Sequence, residues 1–361
     1  MGKFVGVPAL LLACAIVPHT GFGQAASCKM AEEVYKNIVQ LKGTPADQLQ
    51  PAMQFISASL GVDCAFCHVQ GDFASDDKGA KKTARAMMAM TAMINKESFR
   101  GRQQITCESC HRGSARPISI PPVLEADAAP KPPAPTPPAA GATAPTADQI
   151  VEKYIAAVGG EDAIRKVTSR QAKGMIIANG TETPIELFTK APNLRLSISQ
   201  NPSGGSYTAF DGSAGWMGST GHAAREMSPA ESWAAGIDAE FALPLRLKEM
   251  FPQLRRGRPE AVNGVECEVL TGMAEGHPPV RLYFDAKSGL LVRLVRYADT
   301  PMGRNATQID YADYRDSGGI KIPFRWTLSR PIARFAIQLS EVKSNVAIDS
   351  AKFAKPSGEI K

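Results

Sequence analysis

The feature that most constrains this chain is a five-residue pattern present twice, Cys64-Ala65-Phe66-Cys67-His68 and Cys107-Glu108-Ser109-Cys110-His111. Two thiols three positions apart on one helical turn can each add to a vinyl group of a porphyrin, and the adjacent His is then held under the metal as its proximal ligand. The pattern therefore reads as two sites of covalent c-type haem attachment, through Cys64, Cys67, Cys107 and Cys110, with His68 and His111 on the irons. Other readings explain less. A thioredoxin-like redox pair needs one motif beside strand and helix alternation, and a four-cysteine zinc site or two disulfides would leave both following histidines without a task.

Such chemistry requires export, and the N-terminus supplies the address. Lys3 precedes the apolar stretch Phe4 to Val17, and small residues follow as far as Ala26. This is the pattern of a signal peptide over residues 1–25, cleaved after about Gly23 or Ala25. The stretch contains Pro8 and is shorter than the ~20 residues of a spanning helix, so the mature chain is expected to be periplasmic or otherwise exported. Cys28 is a candidate for lipid anchoring to a membrane, although the usual Leu three residues before it is absent. With 41 Lys and Arg against 35 Asp and Glu and no long block of one sign, no nucleic-acid partner is expected.

The segment ahead of each motif bears on what the haem does. In the helix expected over Gln48 to Gly61, Pro51 suits a first turn, Gly61 a C-terminal cap, and Met53, Ile56 and Leu60 share one apolar face. Reversal at Gly61 brings the Met53 sulfur to the side of the iron opposite His68. A second helix, Gly79 to Phe99, carries Met87, Met88, Met90 and Met93 ahead of the second motif, where one of them can serve the second iron.

From about Lys29 to Pro117 the chain resembles the C-terminal half of the photosynthetic reaction centre cytochrome c subunit. The resemblance rests on Leu60 to His68, Met93-Ile94-Asn95 and Cys107 to Gly113. It implies helix, turn, C-x-x-C-H units with a helix Met as sixth ligand, and Met53 stands at a matching position. That family carries four haems and this chain two motifs. The family's last haem takes its sixth ligand from a His in the half missing here, and no His lies between His68 and His111. Met90, as first choice, Met87, a residue of another domain or an open position remain for the second iron.

Ten prolines from Pro117 to Pro145, interleaved with Ala, mark residues 118–146 as an extended tether. It follows a small all-α dihaem domain over 28–117 and precedes a domain over 147–361. That domain opens with a helix, Gln149 to Val158, capped by Thr146 or Asp148. Period-two segments follow: Ile185 to Thr189, Leu194 to Ser199, Val265 to Leu270, Val280 to Phe284, Leu290 to Tyr297, Ile322 to Leu328 and Phe335 to Val342. Helical spacing over Ser228 to Phe251 interrupts them. The expected fold is a curved, mainly antiparallel β half-barrel with a helical insertion. It resembles the periplasmic (LolA-like) carriers that sort outer-membrane lipoproteins, through Phe210-Asp211-Gly212, Leu282-Tyr283-Phe284-Asp285 and Lys287-Ser288-Gly289-Leu290. The resemblance implies an apolar-ligand cavity.

Other residues are read without a function. His222 and His277 are expected in exposed loops, and Trp216, Trp233 and Trp326 in the core. Lys78, Lys81, Lys82 and Arg85 read as a solvated cluster able to orient an acidic redox partner. Cys267 reads as a buried thiol, with pairing to Cys28 as the alternative. The expected function is single-electron transfer between exported redox partners, rather than a dihaem peroxidase or reductase with one open iron, or an apolar-ligand carrier with a cytochrome attached. The tether predicts two domains that fold independently.

Overall fold

The computed structural model describes residues 29–118, 144–201 and 204–355; the signal peptide, Cys28 and most of the tether lie outside them. Residues 29–118 form helices α1 (Ala31–Val34), α2 (Ala46–Leu60), α3 (Cys64–Cys67), α4 (Gly79–Phe99) and α5 (Cys107–His111). Helix α2 begins two residues before the expected Gln48, so Pro51 is its sixth residue rather than part of its first turn. A proline there has no N–H for the carbonyl of residue 47, which leaves the start of the helix loosely tied. Gly61, at φ 65°, ends α2 as expected.

The second part opens with α6 (Ala147–Val158), whose Thr146 hydroxyl accepts from the Gln149 amide at 3.2 Å, and α7 (Glu161–Lys166). Strands β1 (Ser169–Ala178), β2 (Thr181–Lys190), β3 (Leu194–Asn201), β4 (Gly204–Phe210), β5 (Gly215–Ser219) and β6 (Arg225–Glu226) follow. Helices α8 (Pro229–Ala239) and α9 (Leu243–Met250) form the insertion, with the Ser228 hydroxyl capping α8. The chain then continues through β7 (Gln253–Arg256), β8 (Glu260–Val262), β9 (Val265–Met273), β10 (Val280–Asp285), β11 (Leu291–Thr300), β12 (Gly303–Ser317), β13 (Ile320–Arg330) and β14 (Ala333–Ser344).

One antiparallel sheet runs β6-β5-β4-β3-β2-β1-β14-β13-β12-β11-β10-β9-β7, with β8 paired to β9. It is two meanders joined where β1 meets β14. Ile150, Tyr154 and Val158 of α6, Ile237 of α8 and Leu247 of α9 pack in one core with Leu270, Leu282, Phe284, Leu294 and Leu328 of the sheet. Burial of that many aliphatic and aromatic side chains, at about 1.5–3 kcal/mol each, gives this part a core of its own.

The two parts are in contact, which the tether did not lead one to expect. The β11–β12 hairpin reaches the first part, and its tip residue Met302, only 7% exposed, is buried with Leu41 and Ala52. Gln103 Nε2 donates to the Pro301 carbonyl at 2.7 Å, and Asn305 Nδ2 to the Pro51 carbonyl at 3.0 Å.

Candidate functional site

Each Cys-x-x-Cys pair occupies a single helical turn. Ahead of the first, the Asp63 carboxylate accepts from the Phe66 amide at 3.0 Å, capping α3 and placing Cys64 and Cys67 on it. His68 follows as the C-cap, its amide donating to the Cys64 carbonyl at 3.0 Å. Its Nδ1 lies 3.0 Å from the Phe73 carbonyl, and its ring is tilted 51° on the Phe73 ring at 5.3 Å. A carbonyl can only accept, so Nδ1 carries the proton and Nε2 keeps a lone pair for a metal.

The second motif reaches the same arrangement from a different loop. The Thr106 amide donates to Ser109 Oγ at 3.1 Å at the start of α5, and Arg112 and Gly113 turn the chain through positive φ after it. His111 Nδ1 lies 2.9 Å from the Ser114 carbonyl. A backbone carbonyl on the far ring nitrogen is the usual support of a metal-bound His, because it holds both tautomer and ring plane.

The two turns pack together. Gly113 donates its amide to the Ser59 carbonyl at 2.8 Å, and a Cβ on Gly61 would stand 2.1 Å from the Gly113 carbonyl oxygen, so only glycine fits there. Between α2, α4 and both motifs lies a mainly apolar cavity of about 240 Å³, lined by Ile56, Leu60, Cys67, Met88, Cys107 and His111 among others. Burial pushes the Cys67 and Cys107 thiols above the ordinary cysteine range. Among the described residues no three His, Cys, Asp or Glu side chains gather as a metal-binding group. Thiols on single turns, imidazoles with a free Nε2 and an apolar cavity touching both motifs fit a porphyrin held by thioethers.

Met53 is half-buried against the cluster of Leu41, Ala52 and Met302 and is not among the cavity-lining residues. Met90 is 40% exposed and not among the cavity-lining residues, whereas Met87 and Met88 of the same helix line it.

Four polar side chains hold the loops around the histidines. Lys81 is buried and donates Nζ to the carbonyls of Phe73, Ala74 and Ser75 at 2.8–3.0 Å, gripping the loop that supports His68. Arg85 forks onto Asp76 with both contacts at 2.9 Å, and Lys78 donates to the Ala65 carbonyl. Lys78, Lys81 and Arg85 are thus engaged in internal contacts rather than fully solvated, while Lys82 of the same cluster is exposed. Asn95 does the same for the second motif: its Oδ1 accepts from Gln104 and Ile105, and its Nδ2 donates to the Ile105 carbonyl. Sequence reasoning missed these roles and that of Met302. The spacing of Lys81 and Asn95 from the motifs was visible, but nothing in the sequence links Met302 to them.

Elsewhere, Cys267 is buried as expected. His222 and His277 are both exposed in loops as expected, His277 with its ring stacked on Trp233 at 3.9 Å between centroids.

Residues 10–145 match the model of the family described as photosynthetic reaction centre cytochrome C subunit. The N-terminal part of this chain resembles that family. The photosynthetic reaction center cytochrome c subunit of Thermochromatium tepidum is 32% identical over 91 residues, 24% of this chain and 22% of that protein. Cytochrome c-554 of Chloroflexus aurantiacus is 32% identical over 85 residues, 22% and 20% of the two chains. The chain thus spans about a fifth of the length of the curated relatives it matches. The likeness to cytochromes c, with the two motifs, identifies the cofactor class as covalently bound haem.

On the C-terminal portion, a LolA superfamily protein from Nitrosomonas europaea aligns with TM-score 0.41 and 16% identity, covering 59% of this chain and 99% of that one. A DUF1329 family protein from Desulfovibrio piger aligns with TM-score 0.42 and 13% identity, covering 58% and 98%. No helix among the described residues is long and apolar enough to cross a membrane.

Proposed function

We propose that this chain is an exported dihaem electron carrier, with one haem on Cys64 and Cys67 and another on Cys107 and Cys110. The observation that carries the reading is the repeated support of both histidines: His68 and His111 each keep Nδ1 on a carbonyl and Nε2 free, although the loops that do this differ. Bound haem iron supplies a reversible one-electron couple. The chain's residues would hold that group: Cys64, Cys67, Cys107 and Cys110 would attach it, His68 and His111 would bind iron through Nε2, and Met53 would offer a thioether to the first iron. Intact-mass analysis of the exported protein tests the count, with two haem additions expected and one or none overturning it.

The placement of Met90 favours a second reading. It lies away from the cavity lining, which Met87 and Met88 of the same helix reach. Without a thioether, that iron would carry an open position and redox catalysis would replace transfer. The optical spectrum separates the two: low-spin signals from both irons support transfer, and a high-spin component moves the assignment to a dihaem enzyme. The partners are proposed as exported redox proteins, with a lipid on Cys28 as membrane anchor and an apolar ligand on the β domain as further proposals.

A further inference from the structure

The β11–β12 hairpin touches α2 on both sides of Met53. The Asn305 amide holds the Pro51 carbonyl at 3.0 Å, Met302 is buried with Ala52, and Gly303 lies so close to Phe55 that an added Cβ would fall 2.3 Å from its ring. The tip is itself stiff: Thr300 Oγ1 accepts from the Met302 and Gly303 amides at 3.2 Å each and donates to the Gly303 carbonyl at 2.7 Å. These contacts fall where Pro51 deprives α2 of an internal hydrogen bond, the place where the helix most needs outside support. An axial thioether is a weak donor and must be held to within about half an ångström by surrounding packing to ligate well.

We propose that the hairpin of the β domain positions Met53, so that Met302, Gly303 and Asn305 set the thioether ligation and the reduction potential of the first haem iron. This rests on Met53 as that iron's ligand. The β domain is then part of the cytochrome's tuning, and any ligand or partner that displaces the hairpin alters the potential.

The test uses the full-length haem-loaded protein, reading haem content, the weak Met-to-iron band and a potentiometric titration. Met53→His identifies the first haem as the step it lowers. Met302→Ala is expected to weaken or abolish the band and lower the potential of that step alone, with haem content unchanged. Met302→Leu fills the same space without a sulfur and is expected to restore both. Should Met302→Ala destabilise the chain, Asn305→Ser removes a single hydrogen bond and is expected to shift the same step in the same direction by less. Unchanged band and potential in both Met302→Ala and Asn305→Ser overturn the proposal. A Leu variant as defective as Ala, with new high-spin iron, overturns it differently, by making Met302 a ligand itself. A wild-type protein without the band, or Met53→His without effect, instead sinks the assignment of Met53.

Discussion

The two ends of the chain are stabilised in opposite ways. In the β domain, Leu247, Leu270, Leu282, Leu294, Phe251 and Phe284 are all at most 1% exposed and share one core. In residues 29–118 the buried apolar side chains are Ala31, Leu41 and Ala52, while Phe66, Phe73, Met87, Met90 and Met93 are 37–60% exposed. The haem region is held by polar clamps and offers apolar faces suited to a large flat ligand, whereas the β domain buries enough hydrocarbon to fold around itself. A short chain that binds large cofactors takes much of its core from them.

The strongest way to break this contrast is to remove a haem. Cys64→Ala with Cys67→Ala is expected to lose one haem and most of the protease resistance of residues 29–118, leaving the β domain resistant. A compact N-terminal part after haem loss, seen by limited proteolysis, would show that its core does not depend on the cofactor.

Next in size is a cavity in the β core. Phe284→Ala, at a site 1% exposed, is expected to cost about 3–5 kcal/mol in the denaturant unfolding of the β domain, with haem spectra unchanged. A spectral change of the size caused by cysteine loss would mean that the two stabilities are one.

A polar clamp follows. Asn95→Ala takes their partner from the Ile105 amide and carbonyl and one of two acceptors from the Gln104 amide and is expected to cost the haem region about 1–3 kcal/mol, whereas Asn95→Leu, which fills the space, should not recover it. Recovery by Leu would make packing rather than hydrogen bonding the main support there.

The smallest effect is in acid. Hydrogen bonds from Arg85, then Asn37, hold the Asp76 carboxyl well below the usual carboxylate range. A depressed folded-state pKa stabilises above the unfolded value of about 3.9 and ceases to as pH falls through the folded one. Haem-region stability, followed by absorbance, should therefore fall below pH ~4 in the wild type, and less steeply in Asp76→Asn. Identical acid profiles would show that this half-buried pair contributes nothing measurable.

Much of the fold was legible where local chemistry is strong. Helix α4 has the expected ends, α2 ends at Gly61 because glycine takes φ 65°, and six of the seven period-two segments fall within observed strands, the seventh, from Leu290, starting one residue ahead of β11. Strand β12 was not legible: Gly-Arg-Asn-Ala-Thr-Gln-Ile-Asp has no clean alternation, and it is a strand because β11 and β13 pair with it along its length. The four basic residues looked like surface because Lys and Arg usually are, and three of them turned inward where loop carbonyls needed donors.

By itself the sequence determined the chemistry of attachment. Cysteine spacing on one helical turn and the adjacent His are local facts that survive in any fold forming that turn, and the period-two pattern does the same for the sheet. Only tertiary structure decided which groups surround the haem region from afar. Asn305 and Pro51, 254 residues apart, meet because the sheet carries the β11–β12 hairpin to α2, and no local pattern encodes that meeting. Met302 owes its burial to the same docking, since packing between distant segments depends on shape complementarity once both parts are folded.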